Sequence, residues 1–264
     1  MQQLKKPLLD VVFASDKRKN VLLLLQDGAK EMGNLLSALN TTRTALLPQI
    51  RILEEHYLVS HILDRYELTP IGKLLVDSLS SLLAATEVLD EDIDYWGDHK
   101  LDFLPPHLLK RIGQLRKCRI VTPSFADVFN LNEEILSTSP ISGSHHGFVT
   151  FYHPLFPQFF AKMVSNNVNI YMIIPQDVLD RFKAEESMLL KETMKSELFH
   201  LFVYPEKPDF IALVYNDYYT FVRLLKNNGE FGNRYIICNS EESHEWAKEL
   251  YDHYLGKSVQ ISEI

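Results

Sequence analysis

Long hydrophobic runs are missing from this 264-residue chain. The longest unbroken aliphatic stretch is Val21 to Leu25, whereas a bilayer span needs roughly 20 consecutive apolar residues. The first residues also lack the charged-then-apolar layout of a secretory leader. Both absences lead to the expectation of a soluble, cytoplasmic protein with no membrane partner. Cysteine is scarce: Cys118 and Cys238 lie far apart without paired-thiol spacing, and two buried, reduced thiols are expected. Catalytic signatures are missing too. There is no Gly-x-Ser-x-Gly, no phosphate-binding Gly-rich loop, no His-Glu-x-x-His and no His-x-Lys. Metal ligands are equally sparse: no cysteine precedes residue 118, and His145-His146 with His153 is the only histidine cluster. These absences argue against an enzyme and call for no cofactor and no metal.

What is present divides in two. The net charge of −8 is concentrated after residue 85, since residues 1–85 carry 10 Lys/Arg against 9 Asp/Glu. Aromatics are split the same way, with only Phe13, Tyr57 and Tyr66 before residue 90. Two compositions are most simply two domains. The boundaries expected are 1–85 for a helical domain, 86–100 for an acidic linker or helix extension, and 101–264 for an α/β domain.

In the first region, residues 17–26 read as a helix with Leu22 and Leu25 inward, stopped by Asp27-Gly28. Leu35, Leu36 and Leu39 mark a short second helix, Asn40 a left-handed turn, and Thr41 or Thr42 an N-cap. Leu46, Ile50 and Leu53 then recur at helical spacing through Pro48. Leu58–His61 and Tyr66–Leu68 form two short strands around a turn at Leu63, Asp64 and Arg65, and Thr69-Pro70 opens a further helix. The second region alternates strands (119–122, 148–152, 168–174, 198–203, 210–215, 219–224 and 235–238) with helices (105–115, 154–165, 176–195 and 241–254).

Helix, tight turn, helix, hairpin and capped helix are what a winged helix-turn-helix requires, in that order. The fold expected is therefore a two-domain α+β and α/β chain, with an N-terminal winged helix-turn-helix and a C-terminal mixed α/β sheet domain. A recognition helix over about 42–54 would present Thr42, Arg43, Thr44, Leu47, Pro48, Gln49 and Arg51 to the major groove. The wing, about 58–68, adds His61 and Arg65, with Tyr66 beside them. From residue 41 to 53 the only charges are Arg43 and Arg51, both positive, which suits an approach to phosphates. Lys17, Arg18 and Lys19 could add phosphate contacts. In the second domain Tyr152, Tyr171, Tyr215, Tyr219 and Arg223 are candidates to line a pocket for an effector ligand.

The stretch 35–75 resembles the archaeal members of the ArsR-like winged-helix group. "DYWGDHKLDFLPPHLLKRIGQL" and "FGNRYIICNSEESHEWAKELYDHYLGKS" resemble the C-terminal domain of methanogen regulators of the Fil type, through Trp96, Pro105-Pro106 and His244-Glu245-Trp246. The strand–helix alternation also resembles the phospholipase D-like fold of some archaeal sugar-responsive regulators, without that fold's catalytic His-x-Lys. These resemblances imply a transcription regulator of a methanogenic archaeon whose second domain senses an effector or oligomerises. The combined expectation is a homodimeric, cytoplasmic regulator of double-stranded DNA. The other reading is a small-molecule or phosphodiester hydrolase that a winged helix merely localises.

Overall fold

The computed structural model describes residues 5–185 and 187–261. It divides into two compact units, Met1–Leu83 and Ala84–Ile264. The first opens with helices α1 (Leu8–Phe13) and α2 (Asp16–Leu24), and a 3-10 turn over Leu25–Asp27 ends α2. Gly28, at φ 118°, lets the chain reverse there. A two-residue strand β1 (Lys30–Glu31) leads into α3 (Met32–Ala38) and α4 (Arg43–Glu55). Asn40 sits between these helices at φ 44°, the left-handed conformation expected of it.

Strands β2 (Val59–Ile62) and β3 (Arg65–Leu68) follow as a hairpin. Helix α5 (Pro70–Glu91) begins on the expected cap, where the Gly72 amide donates to Thr69 Oγ1 at 3.0 Å. Only glycine fits at position 72, because a Cβ there would lie 2.0 Å from the Leu58 carbonyl oxygen. Val21, Leu22, Leu35, Leu46, Ile50 and Leu53 are fully buried and form the centre of this unit's core. The third strand was not legible in the sequence: β1 pairs with β3, giving the order β1-β3-β2. Two residues are too few to show a period.

The second unit places helices on both faces of one eight-stranded sheet. In chain order it contains α6 (Ile93–Asp98), α7 (Pro106–Lys110), β4 (Arg119–Val121), α8 (Glu133–Thr138), β5 (Ser144–Val149), α9 (Phe156–Ser165), β6 (Asn169–Pro175), α10 (Gln176–Ala184), α11 (Met188–Met194), β7 (Phe199–Tyr204), β8 (Phe210–Asn216), β9 (Thr220–Leu224), β10 (Tyr235–Cys238), α12 (Glu241–Leu255) and β11 (Val259–Ile261). The sheet order is β11-β7-β6-β5-β8-β9-β10-β4, parallel at β5–β6 and β6–β7 and antiparallel elsewhere. One face packs Phe148, Ile173, Leu213 and Val222 against α6, α7 and α12. The other packs Val149, Met172, Val214 and Phe221 against α8 to α11.

Three expectations are corrected here. The strand placed at 148–152 is Ser144–Val149, because polar His145 and His146 and small Gly147 hide its alternation. The single helix over 176–195 is broken into α10 and α11, and β11 is additional. The acidic segment after residue 86 reads as a linker or a helix extension; α5 continues into it to Glu91, after which Asp92 accepts from the Tyr95 amide at 2.8 Å to cap α6, which buries Tyr95 and Trp96. The two cysteines are not free thiols but a disulfide, with Cα atoms 4.4 Å apart. They lie directly opposite each other just where β4 and β10 pair, as closely as opposed antiparallel residues stand.

Candidate functional site

The first turn of α4, like that of α3, has neither a side-chain cap bond nor an acidic residue, but it alone of the two begins on an arginine. Thr42 holds the N-cap position with extended backbone, but its side chain makes no cap bond, and the turn carries no acidic residue. A helix start concentrates unsatisfied N–H groups and partial positive charge. Placing Arg43 there adds a full positive charge where most helices would place a carboxylate. Thr42, Arg43, Thr44, Pro48 and Arg51 are exposed and share this surface, while Gln49 is half-buried. Leu47 departs from expectation: it is half-buried against the core rather than presented outward. In so small a unit the buried stripe of α4 is wider than Leu46, Ile50 and Leu53 alone.

The hairpin lies beside this turn. The Arg43 guanidinium is 3.7 Å from the Asp64 carboxylate, and both side chains are more than half exposed, so the pair is weak and readily exchanged. His61 hydrogen-bonds the Glu54 carboxylate and stacks on Tyr66 with ring centres 5.2 Å apart. Tyr66 itself is core, 3% exposed, and does not extend the surface. Arg65 is exposed on β3, and Leu63 at the tip is 94% exposed. Arg18 is turned inward, 8% exposed, and is withdrawn from the phosphate contacts considered for it. This surface can hold an anion at a basic helix start flanked by a projecting hairpin.

In the second unit the five ligand candidates do not converge. Tyr171 and Tyr215 flank the His146 ring at 4.8 and 4.5 Å, and Tyr171 also stacks on His200 at 4.6 Å. These four rings form one row across β7, β6, β5 and β8, because the strand register aligns them. Tyr152 packs edge-on against Phe182 at 5.4 Å, and the Tyr219 amide donates to Asn216 Oδ1 at 2.9 Å. Tyr215 borders a cleft with Asp217 and His244, whereas Arg223 lines a separate, partly open apolar cavity on the opposite face of the sheet from Tyr171 and Tyr215. Strand alternation marks these residues as packed but does not say against what.

His145, which sequence reasoning treated only as a metal candidate, lines that same cavity. Its Nδ1 lies 2.8 Å from Ser139 Oγ, and Asn216 Nδ2 donates to Ser139 Oγ at 2.9 Å. The Asn216 amide is oriented by Tyr218 and Tyr219, whose backbone N–H groups both donate to its Oδ1. Ser139 Oγ thus accepts from Asn216 and shares a hydrogen bond with His145 Nδ1, tying the neutral imidazole to the β8 end of the cavity. This is not a nucleophile relay. The third group orients the serine rather than the histidine, and Ser139, His145 and Asn216 are at most 2% exposed. Burial pushes the His145 pKa down to about 3. Among the described residues no three His, Cys, Asp or Glu side chains gather as a metal would require.

Residues 7–87 match the N-terminal domain of the methanogenesis regulatory protein FilR1, and residues 128–257 match its middle domain. The methanogenesis regulatory protein FilR1 of Methanothrix harundinacea (strain 6Ac) is 25% identical over 260 residues. That alignment covers 96% of this chain and 58% of the relative, so the chain spans less than two thirds of its length. Two solved structures are distantly similar. TrmBL2, described as an archaeal chromatin protein with a novel mode of DNA binding, superposes with a TM-score of 0.45 at 14% identity, covering 96% of this chain and 97% of its own. Nuc, a phospholipase D family member from Salmonella typhimurium, gives a TM-score of 0.36 at 12% identity over 55% of this chain and 97% of its own. Both scores are too low to carry an argument. No helix among the described residues is long and apolar enough to cross a membrane.

Proposed function

We propose, from the premise that this chain belongs to the FilR1 family of methanogenesis regulators through both its N-terminal and its middle domain, that it regulates transcription by binding duplex DNA. In this reading the N-terminal unit is a winged helix-turn-helix. Helix α4 is its recognition helix, the hairpin of β2 and β3 is its wing, and the second unit modulates binding rather than catalysing a reaction. The observation that carries the proposal is the start of α4: an uncapped, acid-free first turn with Arg43, flanked by exposed Thr42, Thr44, Pro48 and Arg51. Such a turn lacks an anion that stabilises it, and a DNA phosphate supplies one.

Arg43 reaches phosphate by exchanging the exposed Asp64 carboxylate for a backbone oxygen. Arg51 and Arg65 add positive charge along the same approach, Thr44 and Gln49 can read base edges, and His61 steadies the wing through Glu54. Thr42 and Pro48 set the outline of the turn, and Leu47 supports it from below.

The test uses the full-length protein and duplexes selected from random DNA. Affinity should fall steeply as salt rises, despite the net charge of −8, because phosphate neutralisation releases counterions. Arg43→Ala, Arg51→Ala and Arg65→Ala should each weaken binding to all sequences similarly and lower the salt slope by about 1. If the full-length protein retains no duplex at low salt, the proposal fails.

A further inference from the structure

The second unit contains a buried cation with no anion. Arg223, on β9, is 7% exposed, and no ion pair is formed by it among the described residues. Its Nε has no hydrogen-bond partner. The guanidinium lies 5.6 Å from the Phe221 ring centre, 5.4 Å from Phe231 and 5.5 Å from Tyr235, a surround that holds the cation in place. Rings do not replace the hydrogen bond that the buried Nε–H loses on leaving water, and a buried charge without an ion-pair partner is costly. Buried arginines are normally matched by a carboxylate, and here the protein supplies none.

Arg223 borders a cavity of about 50 Å³ lined mostly by apolar side chains. That is several times the space one water needs. Four polar side chains line it, and two are already engaged. Asn132 donates to Glu134 and accepts from the Ile135 amide, each at 2.9 Å, while Asn130 donates to Asp127 at 3.0 Å. His145 and Arg223 remain: Arg223 presents donors, and His145, bound to Ser139 through Nδ1, keeps its second ring nitrogen for the cavity.

Their spacing follows from register. Arg223 pairs with Ala212, and His145 pairs with Asn216, so four residues of β8 separate the two rows. At about 3.4 Å per residue they stand some 14 Å apart along the strand. Between them the cavity floor is Ala212, Val214 and Phe221. The cavity thus has a cation at one end, an apolar middle and a single neutral imidazole at the other end. Asp127, Glu133 and Glu134 line a polar pocket that Arg223 also borders, but among the described residues none of them forms an ion pair with it: Asp127 is held by Ser124 and Asn130, Glu134 by Asn132 and Arg119, and Glu133 is exposed to solvent.

We propose that this cavity is the binding site of a small organic carboxylate, its anionic end paired with Arg223 and its apolar body lying over Ala212, Val214 and Phe221 toward His145. An arginine fork matches a carboxylate bidentately, and the ring surround orients the fork in advance. The apolar middle rejects a bare inorganic anion, which would leave that surface uncovered. Binding is measured directly, so this inference stands or falls independently of the DNA-binding proposal.

The experiment is calorimetric titration of the full-length protein with hexanoate, octanoate, phenylacetate, hexanamide and inorganic phosphate. At least one carboxylate should bind. Hexanamide should bind at least tenfold more weakly than hexanoate, and phosphate should not compete. Arg223→Gln should weaken the carboxylate at least tenfold, and Ala212→Leu, which fills the floor without changing charge, should abolish binding. No binding of any of the three carboxylates would overturn the proposal. So would equal affinity for hexanoate and hexanamide, competition by phosphate, or unaltered affinity in Arg223→Gln. If a variant does not fold, the ligand comparison on the wild-type protein decides alone.

Discussion

His145 and His146 are neighbours on β5 whose side chains leave the sheet on opposite faces, and burial keeps both uncharged. The His145 pKa is pushed down to about 3, and burial pushes that of His146 down to about 4 against the opposing pull of Asp252. In the unfolded chain both titrate near 6.5. Between about pH 6.5 and 4 the unfolded state therefore binds more protons than the folded state, so stability rises with pH through this window and falls on acidification. Urea unfolding at pH 7 and pH 4.5 should differ by on the order of 5 kcal/mol from this pair, about half from each ring. His146→Phe, which preserves stacking between Tyr171 and Tyr215, should flatten the slope. An unaltered slope in that variant would remove His146 from the account. The residue scale is also where the sequence misled most. Tyr171 and Tyr215 looked like pocket residues because their neighbours in the ring row come from other strands. Cys118 and Cys238 looked like free thiols because only the β4–β10 pairing, not their spacing, brings them together.

At the scale of elements, what was legible had a repeating period or a local cap. The stripe of Leu46, Ile50 and Leu53 located α4, Asn40 located the turn before it, and Thr69-Pro70 located the start of α5. Elements without a period were missed, as with β1 and β11, or merged, as with α10 and α11. Helix α4 continues through Pro48, its sixth residue, which lies beyond the first turn where a missing N–H is harmless. The proline deprives the Thr44 carbonyl of its helical donor. Pro48→Ala should restore that bond and raise stability by about 1 kcal/mol, measured as a higher denaturation midpoint with unaltered slope. The same variant reports on recognition. If Pro48 sets the aim of Arg43 and Thr44, affinity for a selected duplex falls while affinity for random duplex is unchanged. A stabilised variant with the same sequence preference would assign Pro48 to packing alone.

For the whole molecule, the proposed function raises the question of how one small recognition surface becomes specific. A single unit of this size contacts few base pairs, and regulators of this type usually place two recognition helices about 34 Å apart on successive turns of the duplex. Helix α5 offers the surface for pairing. Along α5, Leu79 is core and Leu75 and Leu83 are half-buried, but Ile71, Leu74 and Leu82 are 51%, 72% and 52% exposed. They recur at helical spacing on one face together with exposed Ser78, an apolar stripe that a monomer leaves in water. A second copy would bury it symmetrically, since a two-fold interface sets the same patch against itself. The expected mass at micromolar concentration by light scattering is twice that of the 30.6 kDa chain. Leu74→Asp with Leu82→Asp should halve it while leaving the circular dichroism spectrum unaltered, because neither side chain belongs to the core. The monomeric variant should lose affinity for a two-fold symmetric duplex far more than for a half-site. A wild-type protein that is monomeric both alone and on DNA would leave the stripe on α5 without this role and would require the wing to provide the missing specificity.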